Sequence, residues 1–444
     1  MKLLFSTALW LSLSAFAAPG TVAVGPVAEV QDVPTVYHGT TVHDPYRWLE
    51  DMKSPRTQAW MLAQGDATRA VLDRIDQRPE IEARLSELRR TGGDSVRGVT
   101  QMPGDRIYYL KRRVGENQFK LVMRQGLAGA ERVLVDPTED TRRTGVPHAI
   151  NHFSPSWDGR YLAYGVSAGG SEQASLHVLD LATGKLMGEP VPRVLSAAYW
   201  LPDSRGLLFN QLKELAPGDA ETEYYMDSRV FLMRLAAPAQ PVVVFGRKDT
   251  PPLALDRLDV AELITAPGSR WVVARTTDTT VPEGKLFVAP VTQLGRPGMV
   301  WRAIGEPADK MQAVALKGDR LFVLSRAGAP RGKVVAVDLR RGTLKNAPTW
   351  VPEPTAGMLE WMLPTRSGLL VGQRNGTLVQ PRRYSAPGGA GQTVQMPAAG
   401  AARPADAPAA DRDDVIVSFS GWTAPGRHLK LQGDKAVAMS LRSV

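Results

Sequence analysis

One short phrase keeps returning along this 444-residue chain: a turn of Gly, Asp or Ser beside Arg, followed at once by an apolar strand. It stands at Gly104-Asp105-Arg106-Ile107-Tyr108-Tyr109, at Asp158-Gly159-Arg160-Tyr161-Leu162-Ala163-Tyr164 and at Asp203-Ser204-Arg205-Gly206-Leu207-Leu208-Phe209. It returns at Gly268-Ser269-Arg270-Trp271-Val272-Val273 and Gly318-Asp319-Arg320-Leu321-Phe322-Val323, with weaker copies at Arg366-Ser367-Gly368-Leu369-Leu370-Val371 and at the strand Val415-Ile416-Val417-Ser418-Phe419. Between the arginines the first four steps are 54, 45, 65 and 50 residues. Several units carry a second strand, such as Leu176 to Leu179, Leu286 to Val288 or Val334 to Val337.

Repeats of this length, each with several strands, are the mark of β-propeller blades. A single four-stranded blade cannot bury both of its faces, whereas blades stacked around an axis cover one another. A β-sandwich with irregular hairpins is the competing arrangement, but it gives no reason for one turn signature to recur. Ahead of the repeats, Ser54 is placed to cap a helix whose first position is Pro55, and Trp60, Ala67, Val71 and Ile75 share one face of it. Pro79 restarts a second helix carrying Ile81, Leu85 and Leu88. The expected fold class is mainly β, a seven-bladed β-propeller over residues 93–444 preceded by a short α-helical N-terminal segment over residues 18–92. The Ala/Pro/Gly-rich stretch 385–410 reads as a mobile insertion between the sixth and seventh units.

Lys2, the apolar run Leu3 to Phe16 and Ala15-Phe16-Ala17 read as a signal peptide over residues 1–17, cleaved after Ala17, and the protein is expected to be exported to the periplasm. The run falls short of the ~20 apolar residues of a spanning helix, so no membrane span is expected once the signal is removed. With no cysteine, the fold in that oxidising compartment must rest on its core, which a chain of this length can supply. The net charge of +9 is spread along the sequence, so nucleic acid is not an expected partner.

Tyr37-His38-Gly39, then Val42-His43-Asp44-Pro45-Tyr46-Arg47-Trp48-Leu49-Glu50-Asp51, and Trp60 before Gln64, resemble the N-terminal signature of the prolyl oligopeptidase family. Ser154 to Tyr164, Gly170-Ser171-Glu172 and Trp200 to Asn210 resemble that family's second and third blades. The resemblance runs from about residue 27 to the C-terminus and is strongest before residue 215. Gly65, where the family usually has Asn, and Met233, where His is common, depart from it. It implies an N-terminal segment that packs on an α/β-hydrolase domain, with Asp44, Pro45, Tyr46, Arg47, Trp48 and Trp60 as docking residues. It further implies a propeller that filters short proline-containing peptides, and a Ser-Asp-His triad on a C-terminal domain. The sequence stops about where that domain would begin, so the chain is expected to have no serine-endopeptidase activity alone and to need a hydrolase domain supplied elsewhere, for instance on a separate chain. A stand-alone periplasmic propeller that binds peptide or protein is the alternative. The same resemblance marks Phe209 and Arg275 as substrate-binding: an aromatic wall, and a guanidinium for peptide carbonyls or a terminal carboxylate.

Other chemistry finds less support. Gly165-Val166-Ser167-Ala168-Gly169 has the spelling of a nucleophile elbow, but an elbow turns from strand into helix, and here two strands flank a glycine-rich turn. His148 and His152 would make a metal pair on a helix, yet Pro147 and Pro155 argue for loop, so no metal or cofactor is expected and no catalytic residue is assigned. Glu172, Asp227 and Asp278 are candidates for a sugar-cleaving carboxylate pair in a propeller channel, read more simply as solvated acids.

Overall fold

The computed structural model describes residues 25–235, 240–250, 253–278, 280–281, 283–405 and 411–442. The expected signal peptide lies outside them. The chain divides after Thr91 into two compact units.

The first unit opens with a hairpin, Val33–Tyr37 paired to Thr40–Asp44. His38 and Gly39 at its tip have φ of 50° and 83°, as a two-residue turn that follows strand twist requires. Asp44 then accepts a hydrogen bond from the Tyr46 backbone N–H and holds the Arg47 guanidinium at 2.8 Å, folding the Asp-Pro-Tyr-Arg run into a tight corner. Helix α1 (Pro55–Leu72) starts at Ser54 with Pro55 in its first turn, and α2 (Arg78–Thr91) follows a short break that contains Ile75. Within the unit, Trp48 and Trp60 meet edge to face, and their indole N–H groups bond the carbonyls of Glu29 and Pro26. The two tryptophans thus fasten the extended segment that precedes the hairpin.

The second unit contains, among the described residues, seven consecutive blades: residues 95–135, 148–194, 199–246, 260–305, 311–351, 358–393 and 401–442. In every blade the recurring phrase supplies the second strand. The first strands of blades 5 and 6 (Met311–Lys317 and Met358–Thr365) touch, as do those of blades 2 and 3, as inner strands of a propeller do.

Why these strands read as unbroken apolar runs is plain from their two faces. Tyr108 packs between blades 1 and 2, while its neighbours Ile107 and Tyr109 pack between blades 1 and 7. Leu207 and Phe209 face blade 2, and Leu208 faces blade 4. Phe322 and Leu324 face blade 6, and Leu321 and Val323 face blade 4. Each pair of neighbours is joined by one such cluster, and the cluster of Val96, Ile107 and Tyr109 with Ile416, Met439 and Leu441 joins the last blade to the first. The sheets of blades 1 and 7 remain separate, so side-chain packing rather than a shared strand brings the ends of the ring together.

The arginine of the repeat has a structural task. Arg106 donates to the carbonyls of Trp157 and Asp158 in the next turn, and the Asp158 N–H donates to Ser204 Oγ in the one after. Arg270 pairs with Asp319, the Lys317 ammonium donates to the Thr365 carbonyl, and Arg366 donates to the Asp411 carbonyl. Arg412 finally donates to the Gln101 carbonyl of blade 1. These bonds run from turn to turn along one rim.

Two expectations need correction. The 385–410 stretch is not one loose insertion, because Gln392–Thr393 pair with blade 6 and Ala401–Pro404 form the first strand of blade 7. Val394 and Ala402 are fully buried, so small side chains here serve close packing. His148 and His152 lie on a strand, His148–Pro155, rather than in a loop. Proline is tolerated at the strand's last position, and four residues of strand separate the two Cα atoms by about 13 Å, unlike the one-turn spacing of a helical metal pair.

Candidate functional site

The rim opposite the linked turns carries the connections between second and third strands. In blade 3 that connection, residues 212–228, is longer than its counterparts such as 376–377 in blade 6. It folds back through a short helical turn at Glu221–Tyr225 and encloses a cavity of about 520 Å3 with Arg193, Phe231, Arg247 and Arg257.

Charge dominates this cavity. Arg247 holds Asp227 at 2.5 Å, Arg257 holds Glu223 at 2.5 Å, and Lys213 holds Asp219 at 2.9 Å. Arg229 pairs with Asp249, and Arg193 with Glu214. The Arg247 guanidinium keeps the Asp227 carboxyl below its ordinary range, and Arg257 does the same for Glu223. A glycosidase acid needs the opposite shift, so these carboxylates suit binding rather than proton donation. Asp227 is therefore a paired wall residue and not a solvated acid. Asp278 is also held low, by the backbone N–H of Thr280.

The substrate-binding residues expected from sequence are not brought together here. Phe209 is 2% exposed, within the cluster between blades 2 and 3, so in this fold it is a core aromatic with no face open to a peptide. Its register partner is Phe231, stacked on it at 5.8 Å, and Phe231 lines the cavity. The accessible aromatic is thus one strand away, which sequence spacing could signal only once the strand pairing is known. Arg275 is half-buried on the second strand of blade 4, opposite Glu262 and Leu286, and does not line the cavity.

The elbow-like serine is a strand residue. Ser167 is buried near the end of Tyr161–Ala168, and Gly169 and Gly170 take φ of 63° and 76° in the hairpin turn that follows. Among the described residues no group of three or more His, Cys, Asp or Glu side chains is arranged to hold a metal ion, and no helix is long and apolar enough to cross a membrane.

The sequence profile of the prolyl oligopeptidase N-terminal β-propeller domain matches residues 26–439. The chain belongs to this family. The prolyl endopeptidase of Elizabethkingia meningoseptica is 29% identical over 168 residues, 38% of this chain and 23% of that protein. Prolyl oligopeptidase A of Galerina marginata is 22% identical over 345 residues, covering 71% and 45%. A solved structure from work on two prolyl endopeptidases superposes with a TM-score of 0.80 at 25% identity, over 93% of this chain and 59% of that one. Prolyl oligopeptidase B of Galerina marginata, solved with a 35-residue hydrolysis and macrocyclisation substrate, shares the fold at a TM-score of 0.76 and 18% identity, over 93% and 59%. The chain thus spans well under two thirds of these prolyl oligopeptidase relatives, and the part it spans is the propeller with its N-terminal segment.

Proposed function

We propose that this chain is the peptide-admitting part of an exported prolyl-oligopeptidase-type serine peptidase. It would control which short proline-containing peptides reach a Ser-Asp-His hydrolase domain and carry out no bond cleavage itself. The observation that carries this reading is the family match over residues 26–439, confined to the propeller portion of longer relatives.

Two features of the molecule support it. The first unit leaves Val36, Tyr46, Leu62, Ile81, Leu85 and Leu88 between 45% and 71% exposed, the apolar surface that a covering hydrolase domain would bury. Secondly, the cavity on blade 3 offers an aromatic wall at Phe231, which suits an apolar peptide side chain, while its guanidinium groups and acids are paired with one another.

The direct test is to incubate the purified chain with a chromogenic proline-containing peptide. No turnover is expected, because binding alone does not recover the several orders of magnitude that a triad and oxyanion hole provide. Turnover that co-purifies with the chain and is abolished by a serine-directed inhibitor would overturn the reading. Export rests on the first seventeen residues. N-terminal sequencing of protein recovered from a periplasmic fraction should begin at Ala18, and an intact Met1 start would remove the export part of the proposal.

A further inference from the structure

The inner strand of blade 1 carries a feature set apart from the charge-paired cavity. Arg97 lies with its guanidinium 4.1 Å from the centroid of the Phe119 ring, and Arg112 places its own 4.9 Å from the same ring. All three sit at the end of blade 1 that bears the 113–119 connection, the same rim as the blade 3 cavity. Arg97 is followed by a break in register and by Gly98 at φ 62°, where a Cβ would meet the Phe153 ring at 3.3 Å. Glycine therefore lets the strand bulge there, and Arg97 stays exposed.

Neither guanidinium has a hydrogen-bond acceptor or a carboxylate partner among the described residues. The acids around them are already engaged. Asp94 pairs with Lys111 at 3.1 Å, Glu131 with Lys111 at 2.8 Å, and Glu116 with Lys120 at 2.8 Å. The inner-strand guanidinium of blade 7 makes the contrast, since Arg403 is held at 2.6 Å by Glu360 of blade 6. The Arg97 side chain reaches solvent, yet partial desolvation, and then the charge of Arg112, weaken its hold on its proton.

A guanidinium lying on an aromatic face spends that face on the ring and leaves its planar edge of N–H donors free. Two unpaired guanidiniums held at one phenyl ring concentrate positive charge and N–H donors suited to a carboxylate. We propose that Arg97 and Arg112, held on Phe119, bind the carboxylate of a peptide at the mouth of the propeller. This deepens the peptide-admitting reading and rests on it. The carboxylate has two sources, the C-terminus of the peptide or an acidic side chain.

The test is fluorescence anisotropy on the full chain at low ionic strength, with three labelled proline-containing peptides of one core sequence. One has a free C-terminal carboxylate, one is C-terminally amidated, and one is amidated with an added glutamate. The free or the glutamate peptide should bind about tenfold more tightly than the plain amide, and whichever does so identifies the source. Arg97→Gln and Arg112→Gln should each remove that preference. Arg97→Lys should restore part of it, and Arg340→Gln, which deletes an exposed arginine paired with Asp338, should leave it unchanged. Equal binding of all three peptides would overturn the carboxylate receptor while leaving peptide admission standing. Binding of none would overturn both.

Discussion

The two units of this protein satisfy apolar residues in opposite ways. In the propeller, successive side chains of one strand are buried on opposite faces, so Tyr108 and Tyr109 are both inaccessible to water. In the helical unit, α2 buries none of its residues, and Ile81, Leu85 and Leu88 stay about half exposed. The difference teaches that a propeller strand is covered on both faces by its neighbours, whereas the apolar stripe of α2 is left largely open to solvent.

The sharpest way to break that contrast is the same substitution in both places. Leu162→Ala, in the core between blades 1 and 2, should destabilise by about 3–5 kcal/mol, because it removes buried methylenes and leaves a cavity. Leu85→Ala on α2 should change stability by less than about 0.5 kcal/mol. Urea unfolding followed by tryptophan fluorescence reads both, and similar losses at the two sites would erase the distinction.

Acid should act on the propeller next. Burial pushes the His152 ring down to about 4, below the ~6.5 of an unfolded chain. As pH falls through ~6.5 the unfolded state takes up the proton first, so the stabilising contribution is complete above that value and is lost progressively down to about pH 4. The loss is of order 3 kcal/mol. His152→Gln should flatten this part of the stability profile, measured as melting temperature between pH 4 and 7. His177 and His428, also pushed down by burial, should keep the remainder of the slope. An unchanged slope in the variant would show that His152 is not the group responsible.

The smallest effect has opposite signs in the two units. A Cβ on Gly372 would lie 2.2 Å from the Trp361 ring, so Gly372→Ala should cost about 1–3 kcal/mol through overpacking. In α1 nothing lies within 4 Å of the corresponding position on Gly65, and Gly65→Ala should stabilise by up to about 1 kcal/mol. Thermal melts of the two variants give the comparison, and a destabilised Gly65→Ala would reveal a contact at that helix surface.

Much of the fold was legible because a blade repeats its own chemistry. The recurring phrase marked the second strand of every blade, and the apolar runs from Leu176, Leu286 and Val334 marked third strands. Ser54 and Pro55 likewise announced the start of α1. The edges of the ring were harder. Ala401–Pro404 looked like linker because its small residues and prolines carry no strand pattern, and only the pairing with Val415–Ser420 makes it a strand. The cavity was not legible at all, since it collects Arg193, Lys213, Phe231, Arg247 and Arg257 from separate segments. Substituting Phe231 for Phe209 as the accessible aromatic needed the cross-strand register, which is a property of pairing and not of local sequence.

The bonds that pass from Arg106 to Asp158, from Arg270 to Asp319 and from Arg412 to Gln101 all lie along one rim. They act like the hoop on a cask. A length change in any of those turns loosens two neighbouring staves, so that edge can accept little insertion. The uneven steps of 54, 45, 65 and 50 residues must then be absorbed largely elsewhere, and the 65-residue step contains the 212–228 connection on the unhooped edge. New recognition chemistry can be spliced into that edge without disturbing what keeps the staves together.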